Sequence, residues 1–271
     1  MDFLSKIISA KRLRIAAAEK AAPLNQVRVL ARQVRASAER SRFSRALRDT
    51  SKINIIAEFK RRSPSKGVIR ADVDPAEMAD AYERGGARAL SVLTEPEFFS
   101  GSLEDLAKAR DATTLPVLRK DFVVDLYQIV EARAGGADAV LLIVAAIPDP
   151  ALFAELADAA AHYGLAALVE VHSEWELDDA FEIEPGLVGV NQRDLRTFDV
   201  DTGLAIRLRR RIPSEVAVVA ESGIVERGGV EALEKAGVEG MLVGETLMRA
   251  DDPARAAQEL LGIAGGGEDP D

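Results

Sequence analysis

From Ile53 onward the chain repeats one rhythm eight times: a short apolar run, then a longer amphipathic one. The short runs read INIIAEF, ALSVLT, PVLRKDF, AVLLIVA, AALVEV, LVGVNQ, VAVVAES and GMLVGE. Strands this rich in Val, Ile, Leu and Ala are buried on both faces, which a parallel sheet wrapped by helices achieves. The stretches between them, such as DPAEMADAYERGG and DPALFAELADAAAHYG, open on Asp-Pro and close on Gly, as capped helices do. An internal echo, GGARALSVL from Gly85 and GGADAVLLIV from Gly135, points to repeated βα units. Eight such units predict an α/β fold, a closed (β/α)8 TIM barrel. The alternative is an open doubly wound sheet. It is disfavoured because no GxGxxG turn follows the first strand.

The first 50 residues differ in character. They hold 12 Lys and Arg against 4 Asp and Glu, in a chain whose net charge is -10. Phe3, Leu4, Ile7, Ile8, Leu13 and Ile15 recur at helical spacing, and Val27, Leu30 and Val34 form a second stripe. The expected organisation is a helical extension over 1–48 packed on the barrel, a catalytic barrel over 49–264 and a flexible tail, GGGEDPD, over 265–271. A cleaved leader or a basic nucleic-acid arm are the competing readings of the N-terminus. The acidic barrel argues against a nucleic-acid partner.

With no Cys and only His162 and His172, disulfides and thiolate zinc sites are excluded and a His-rich metal site is not expected. No apolar run approaches the roughly 20 residues of a membrane span. A soluble, cytoplasmic protein without a membrane partner is expected, with a monomer as the simplest state.

The charges fall in a pattern. Barrel active sites form at the C-terminal ends of the strands. Glu58 and Lys60 end the first strand, Lys120 the third, Glu170 the fifth, Asn191 and Arg193 the sixth, and Glu221 and Ser222 the seventh. One charged strand end is most simply solvated or paired. Five on one rim indicate a functional site. Gly223 and Gly244, in ESGI and VGETLM after strands seven and eight, let backbone N–H groups approach an anion, so a phosphate is expected there.

The stretches IIAEFKRRSPSKG, SVLTEPEFFSGS, PVLRKDF, ADAVLLIVA, LVEVHSEWEL, GVNQRDLRTFDVD, VAESGI and LVGETLM together resemble indole-3-glycerol phosphate synthases along nearly the whole chain. That resemblance implies a phosphorylated small-molecule substrate, 1-(2-carboxyphenylamino)-1-deoxyribulose 5-phosphate. Its indole ring closes with loss of carbon dioxide and water, without cofactor or metal. It also implies a helical extension rather than a leader. Lys120 matches the family's general acid. Glu170 and Glu58 match carboxylates of the dehydration, and Lys60 a substrate-binding or proton-donating group. Ser63 and Arg193 resemble residues near the anthranilate carboxylate, with Asn191 and Glu221 completing the rim. Ser222, Gly223 and Gly244 fall where the sugar phosphate is held. Glu245 departs from relatives that place Ser there, so no side-chain phosphate contact is expected from it. Phe99, Phe122 and Leu142 are candidates for packing on the aromatic ring, with core packing an equal alternative for Leu142. A Schiff-base aldolase using Lys120 is the rival enzyme.

Overall fold

A computed structural model describes residues 3–34, 42–48 and 52–263. The expected boundaries near 48 and 264, and the tail over 265–271, touch or lie outside these residues. Eight strands close into one parallel barrel: β1 (Asn54–Phe59), β2 (Ala89–Leu93), β3 (Val117–Lys120), β4 (Ala139–Ile143), β5 (Ala166–Val171), β6 (Leu187–Asn191), β7 (Ala217–Glu221) and β8 (Gly240–Val243). Each neighbours the next in sequence, and β8 closes on β1 with Ile55 opposite Met241 and Ala57 opposite Val243. The (β/α)8 barrel expected from the rhythm is the fold observed, and the open sheet is excluded by that closure.

Local chemistry sets the helices on the outside. Asp74 and Asp149 each accept a hydrogen bond from the backbone two residues on, at Ala76 and Ala151, with Pro75 and Pro150 opening the helix. Asp125 caps the same way, and Ser102, Ser173 and Asp252 accept from the backbone three residues on, at Asp105, Glu176 and Arg255. Each helix then lays an apolar face on the outer side of the strands, so the strands are buried on both faces.

Before the barrel, among the described residues, come three helices: α1 (Phe3–Ala21), α2 (Leu24–Val34) and α3 (Arg42–Ala46). In α1 the buried face is Ile7, Lys11 and Ile15, four residues apart, while Leu13 is 76% exposed. In α2, Val27 and Ala31 are buried, and Leu30 and Val34 point out. The apolar stripes expected from the sequence are thus only half right, because the buried row of α1 includes a lysine.

That lysine has a specific partner. Lys11 Nζ lies 2.6 Å from Asp121 Oδ1, and both side chains are almost wholly buried. Asp121 sits just past β3 and also meets Arg119 Nη2 at 3.1 Å and Thr94 Oγ1 at 2.7 Å. Arg119 goes on to Glu131 at 2.8 Å and to the Gln128 carbonyl at 2.9 Å. Strand alternation sends Lys120 into the barrel and leaves Arg119 and Asp121 beneath α1. Burial alone would raise the Asp121 carboxyl group, but Arg119 and Lys11 outweigh it and hold the group below its usual range. Arg14 pairs with Glu95 and Glu97, and Phe3 packs edge-on against Phe98 and Phe198 at 5.4 and 5.6 Å. Through these contacts α1 lies across the C-terminal mouth of the barrel.

Removing one partner of a buried pair leaves the other uncompensated. Lys11→Met is therefore expected to destabilise the fold by about 3 kcal/mol, the lower end of that range because Arg119 remains on Asp121. The Asp121 carboxyl is depressed, so its contribution is full near neutral pH and is lost as pH falls through the acid range. Urea unfolding should show the gap between the two proteins narrowing below about pH 4. An equal gap at every pH would contradict this account.

Candidate active site

At the mouth of the barrel the strand ends enclose a cavity of about 570 Å³. Glu58, Lys60, Lys120, Glu170, Asn191, Arg193 and Glu221 all line it, as do Ser63, Ser222, Gly223, Gly244, Phe99 and Phe122. Leu142 does not. It is fully buried, and Leu141 and Ile143 line the cavity instead. Side chains alternate along a strand, so in β4 the inward positions are 141 and 143 and Leu142 faces the helices. Phe3 and Leu4, at the start of α1, also line the cavity, as do Leu195 and Phe198 from the loop after β6. The sequence marked Phe3 and Leu4 as helical but gave no sign that they reach the site.

At the centre is Lys120. Its Nζ donates to Glu170 Oε2 at 2.8 Å and to Glu221 Oε2 from the other side. Glu58 and Lys60, two apart on β1, pair with each other nearby. Asn191 Nδ2 donates to Glu170 Oε1 at 3.3 Å, and Asn191 Oδ1 accepts from Ser222 Oγ at 2.9 Å. Arg193 Nη1 donates to the Phe198 carbonyl at 3.0 Å, which ties the loop after β6 to the rim. Phe99 and Phe122 stand 6.1 Å apart at the side of the cavity, an apolar wall for a flat ring.

Two glycines make room for the carboxyl groups. A Cβ at Gly189 would fall 2.2 Å from Glu221 Oε1, and one at Gly244 would fall 2.3 Å from Glu58 Oε2. Any side chain at either position would push a buried carboxyl group aside. After β7, Ser222 and Gly223 both take left-handed backbone angles, at φ 67° and 75°. Successive residues of this kind turn backbone N–H groups toward one point, a geometry that suits an anion. Glu245 also lines the cavity, with its carboxylate 3.0 Å from Arg249 Nε.

The electrostatics separate the two carboxyl groups on Lys120. For Glu221, burial dominates; the Glu170 charge adds to it and Lys120 opposes it, and the group is pushed up to about 8. Burial would raise Glu170 too, but Lys120 and His172 outweigh it and hold that carboxyl well below the usual range. Lys120 is itself raised: desolvation acts to lower it, and Glu170, Glu221 and Glu58 together overcome that. Of the two carboxyl groups on the Lys120 ammonium, Glu221 is pushed toward its protonated form and Glu170 is held toward its ionised form. Among the described residues, no group of three or more His, Asp and Glu side chains is arranged to hold a metal ion.

The family model described as indole-3-glycerol phosphate synthase matches residues 4–260. A curated relative named indole-3-glycerol phosphate synthase, from Aromatoleum aromaticum, is 48% identical over 264 residues, covering 96% of this chain and 99% of the relative. Among solved structures, thiamine phosphate pyrophosphorylase from Pyrococcus furiosus superposes with a TM-score of 0.58 at 20% identity, over 80% of this chain and 96% of that one. At that identity the likeness is one of fold.

The raised Glu221 carboxyl carries a sign. The folded protein holds a proton there that the unfolded chain has released, so stability falls as pH rises from about 4.5 to about 8. Glu221→Gln should remove that slope, at most about 1.4 kcal/mol per pH unit. Urea unfolding of both proteins at intervals across this window would read it. Parallel curves would mean that Glu221 is ionised in the folded protein.

Proposed function

The chain belongs to the indole-3-glycerol phosphate synthase family, and from that premise we propose how its own residues carry the family's reaction. The enzyme is a carboxy-lyase of tryptophan biosynthesis. It converts 1-(2-carboxyphenylamino)-1-deoxyribulose 5-phosphate to indole-3-glycerol phosphate, carbon dioxide and water.

The observation that carries the assignment is the Lys120 ammonium group, held by Glu170 and Glu221 inside the cavity at the strand ends. Ring closure makes a bond between the carboxyl-bearing aromatic carbon and the ketone carbon, and negative charge develops on the ketone oxygen. Lys120 donates its proton there. Loss of the carboxyl group as carbon dioxide then restores the aromatic ring. The hydroxyl group left on the new ring departs as water, with a proton removed from the adjacent position. Glu170, kept ionised, is suited to accept that proton. Glu58 and Lys60 form a second acid–base pair close by.

The remaining residues orient the substrate. The turns at Ser222–Gly223 and Gly244 would hold the phosphate on backbone N–H groups. Phe99 and Phe122, together with Leu141 and Ile143, would pack on the aromatic ring. Ser63 and Arg193 would hold the substrate carboxylate. A phosphorylated substrate does not cross a membrane unaided, so the enzyme works where its substrate is made, and we infer the cytoplasm. We infer a monomer as the simplest state.

The Schiff-base reading of Lys120 is weaker on physical grounds. A nucleophilic amine must be neutral when it attacks, and here the surrounding carboxyl groups, Glu170 foremost, favour the ammonium form.

Turnover followed by the fluorescence of indole-3-glycerol phosphate tests the assignment. Lys120→Ala leaves Glu170 and Glu221 without their cation and should be less stable. The folded variant, checked by circular dichroism, should lose about 10²–10⁴-fold in kcat, with no adduct trapped by borohydride in the wild type. A variant with near wild-type kcat would remove Lys120 from the chemistry.

A further inference from the structure

Glu170 and Glu221 both accept from Lys120, yet their surroundings hold one carboxyl group down and push the other up. Their surroundings differ at one place. Among the described residues, Glu221 Oε1 has no hydrogen-bond partner and faces the bare backbone of Gly189. Glu170 Oε1 has Asn191 at 3.3 Å and, at 3.2 Å, the Nε2 atom of His172. His172 comes two residues after Glu170, so strand parity turns it to the same side. Its contact with Glu170 is a close charge contact, off the line of a hydrogen bond.

The ring is fixed from behind. Ser173 caps the helix Glu174–Phe181, and Glu176 sits in its first turn. Glu176 Oε2 accepts from the His172 backbone N–H at 2.7 Å and lies 3.1 Å from His172 Nδ1. One carboxylate oxygen thus anchors both the backbone and the ring of His172. The helix start determines where that oxygen lies. Both ring nitrogens of a nearly buried imidazole then face carboxylates.

We propose that His172 is a positioning residue that fixes the orientation and ionisation of Glu170, so that Glu170 serves as the base of the Lys120 centre and Glu221 holds the proton. This deepens the function proposed above and rests on its assignment of Glu170 to the dehydration. Two carboxyl groups sharing one ammonium cannot both ionise freely in a buried site. The group with an extra cation beside it keeps its charge, and the proton goes to the other. His172 is that extra cation. Burial disfavours its charge, but Glu170 and Glu176 overcome this and push the ring up to about 10. The charged groups around it are Glu170 on β5, Glu176 on the following helix, Lys120 across the barrel through Glu170, and Asp194 after β6, which its charge helps to depress. Without His172 the proton is free to move onto Glu170, and the pair loses its division of roles.

The test combines activity and spectroscopy on the full chain. His172→Gln should lower kcat about 10–100-fold with KM within about threefold, and should move the acid limb of the kcat profile up by about one pH unit or more. Glu176→Gln keeps an oxygen for the backbone N–H but removes the charge, and should shift the same limb in the same direction by less. In the wild type, nitrogen NMR should find both His172 ring nitrogens protonated up to roughly pH 8, with the exposed His162 assigned by His162→Gln. Glu170→Gln is measured alongside. If it retains wild-type turnover, the role of Glu170 fails and the inference with it. If it is inactive while His172→Gln keeps the wild-type pH profile, only the role of His172 is overturned. A neutral His172 ring in the wild type at pH 7 overturns it as well, whether or not the variants fold.

Discussion

The ammonium group of Lys120, inserted between two buried carboxyl groups, is the contact around which the rest of the site is arranged. Glu58, Glu170 and Glu221 are each almost wholly removed from water, and carboxylates so placed are tolerated only when paired or protonated. Lys120 and Lys60 supply the pairing, and of the two carboxyl groups on Lys120 it is Glu221 that is pushed toward protonation. The glycines at 189 and 244 follow from the same constraint, since the volume of their missing side chains is taken by Glu221 and Glu58. The turn after β7 follows too, because Ser222 must reach Asn191, which in turn reaches Glu170.

A charged centre of this kind works best where water is scarce, because low dielectric strengthens each interaction within it. α1 contributes by crossing the mouth with Phe3 and Leu4 facing the cavity. The helix is held there by charges rather than by apolar contact alone. Lys11 and Arg14 reach Asp121, Glu95 and Glu97, which lie on the loops just past β3 and β2. Asp121 is the residue next to Lys120. The cover and the central lysine are therefore set by neighbouring positions, Lys120 at the end of β3 and Asp121 just past it.

The barrel was legible in the sequence because strands buried on both faces are written as unbroken apolar runs, and the rim because charges interrupt those runs only at their ends. The same continuity hid other things. In AVLLIV nothing distinguishes inward from outward positions, so Leu142 looked as fit to line the cavity as Leu141 and Ile143. Where a strand ends on charged groups two apart, as at Glu58 and Lys60, parity could be read directly. Lys11 escaped notice because its partner is 110 positions away and a lysine in an amphipathic helix reads as solvent-facing. Glu176 is four residues from His172, a spacing visible in the sequence. Its meaning depends on Ser173 starting a helix between them.

Closure of the barrel also bears on how the protein is made. β1 has β8 as one neighbour, so one edge of the first strand synthesised stays open until Gly240–Val243 have left the ribosome. Phe3 waits nearly as long, because one of its two ring partners is Phe198. Early in synthesis the nascent chain therefore carries an unsatisfied strand edge and an unpacked aromatic side chain, features that invite association with other chains. Arg and Lys are dense in precisely these early residues, 12 of the first 50, and the mutual repulsion of such segments would keep neighbouring nascent chains apart until the last strand arrives.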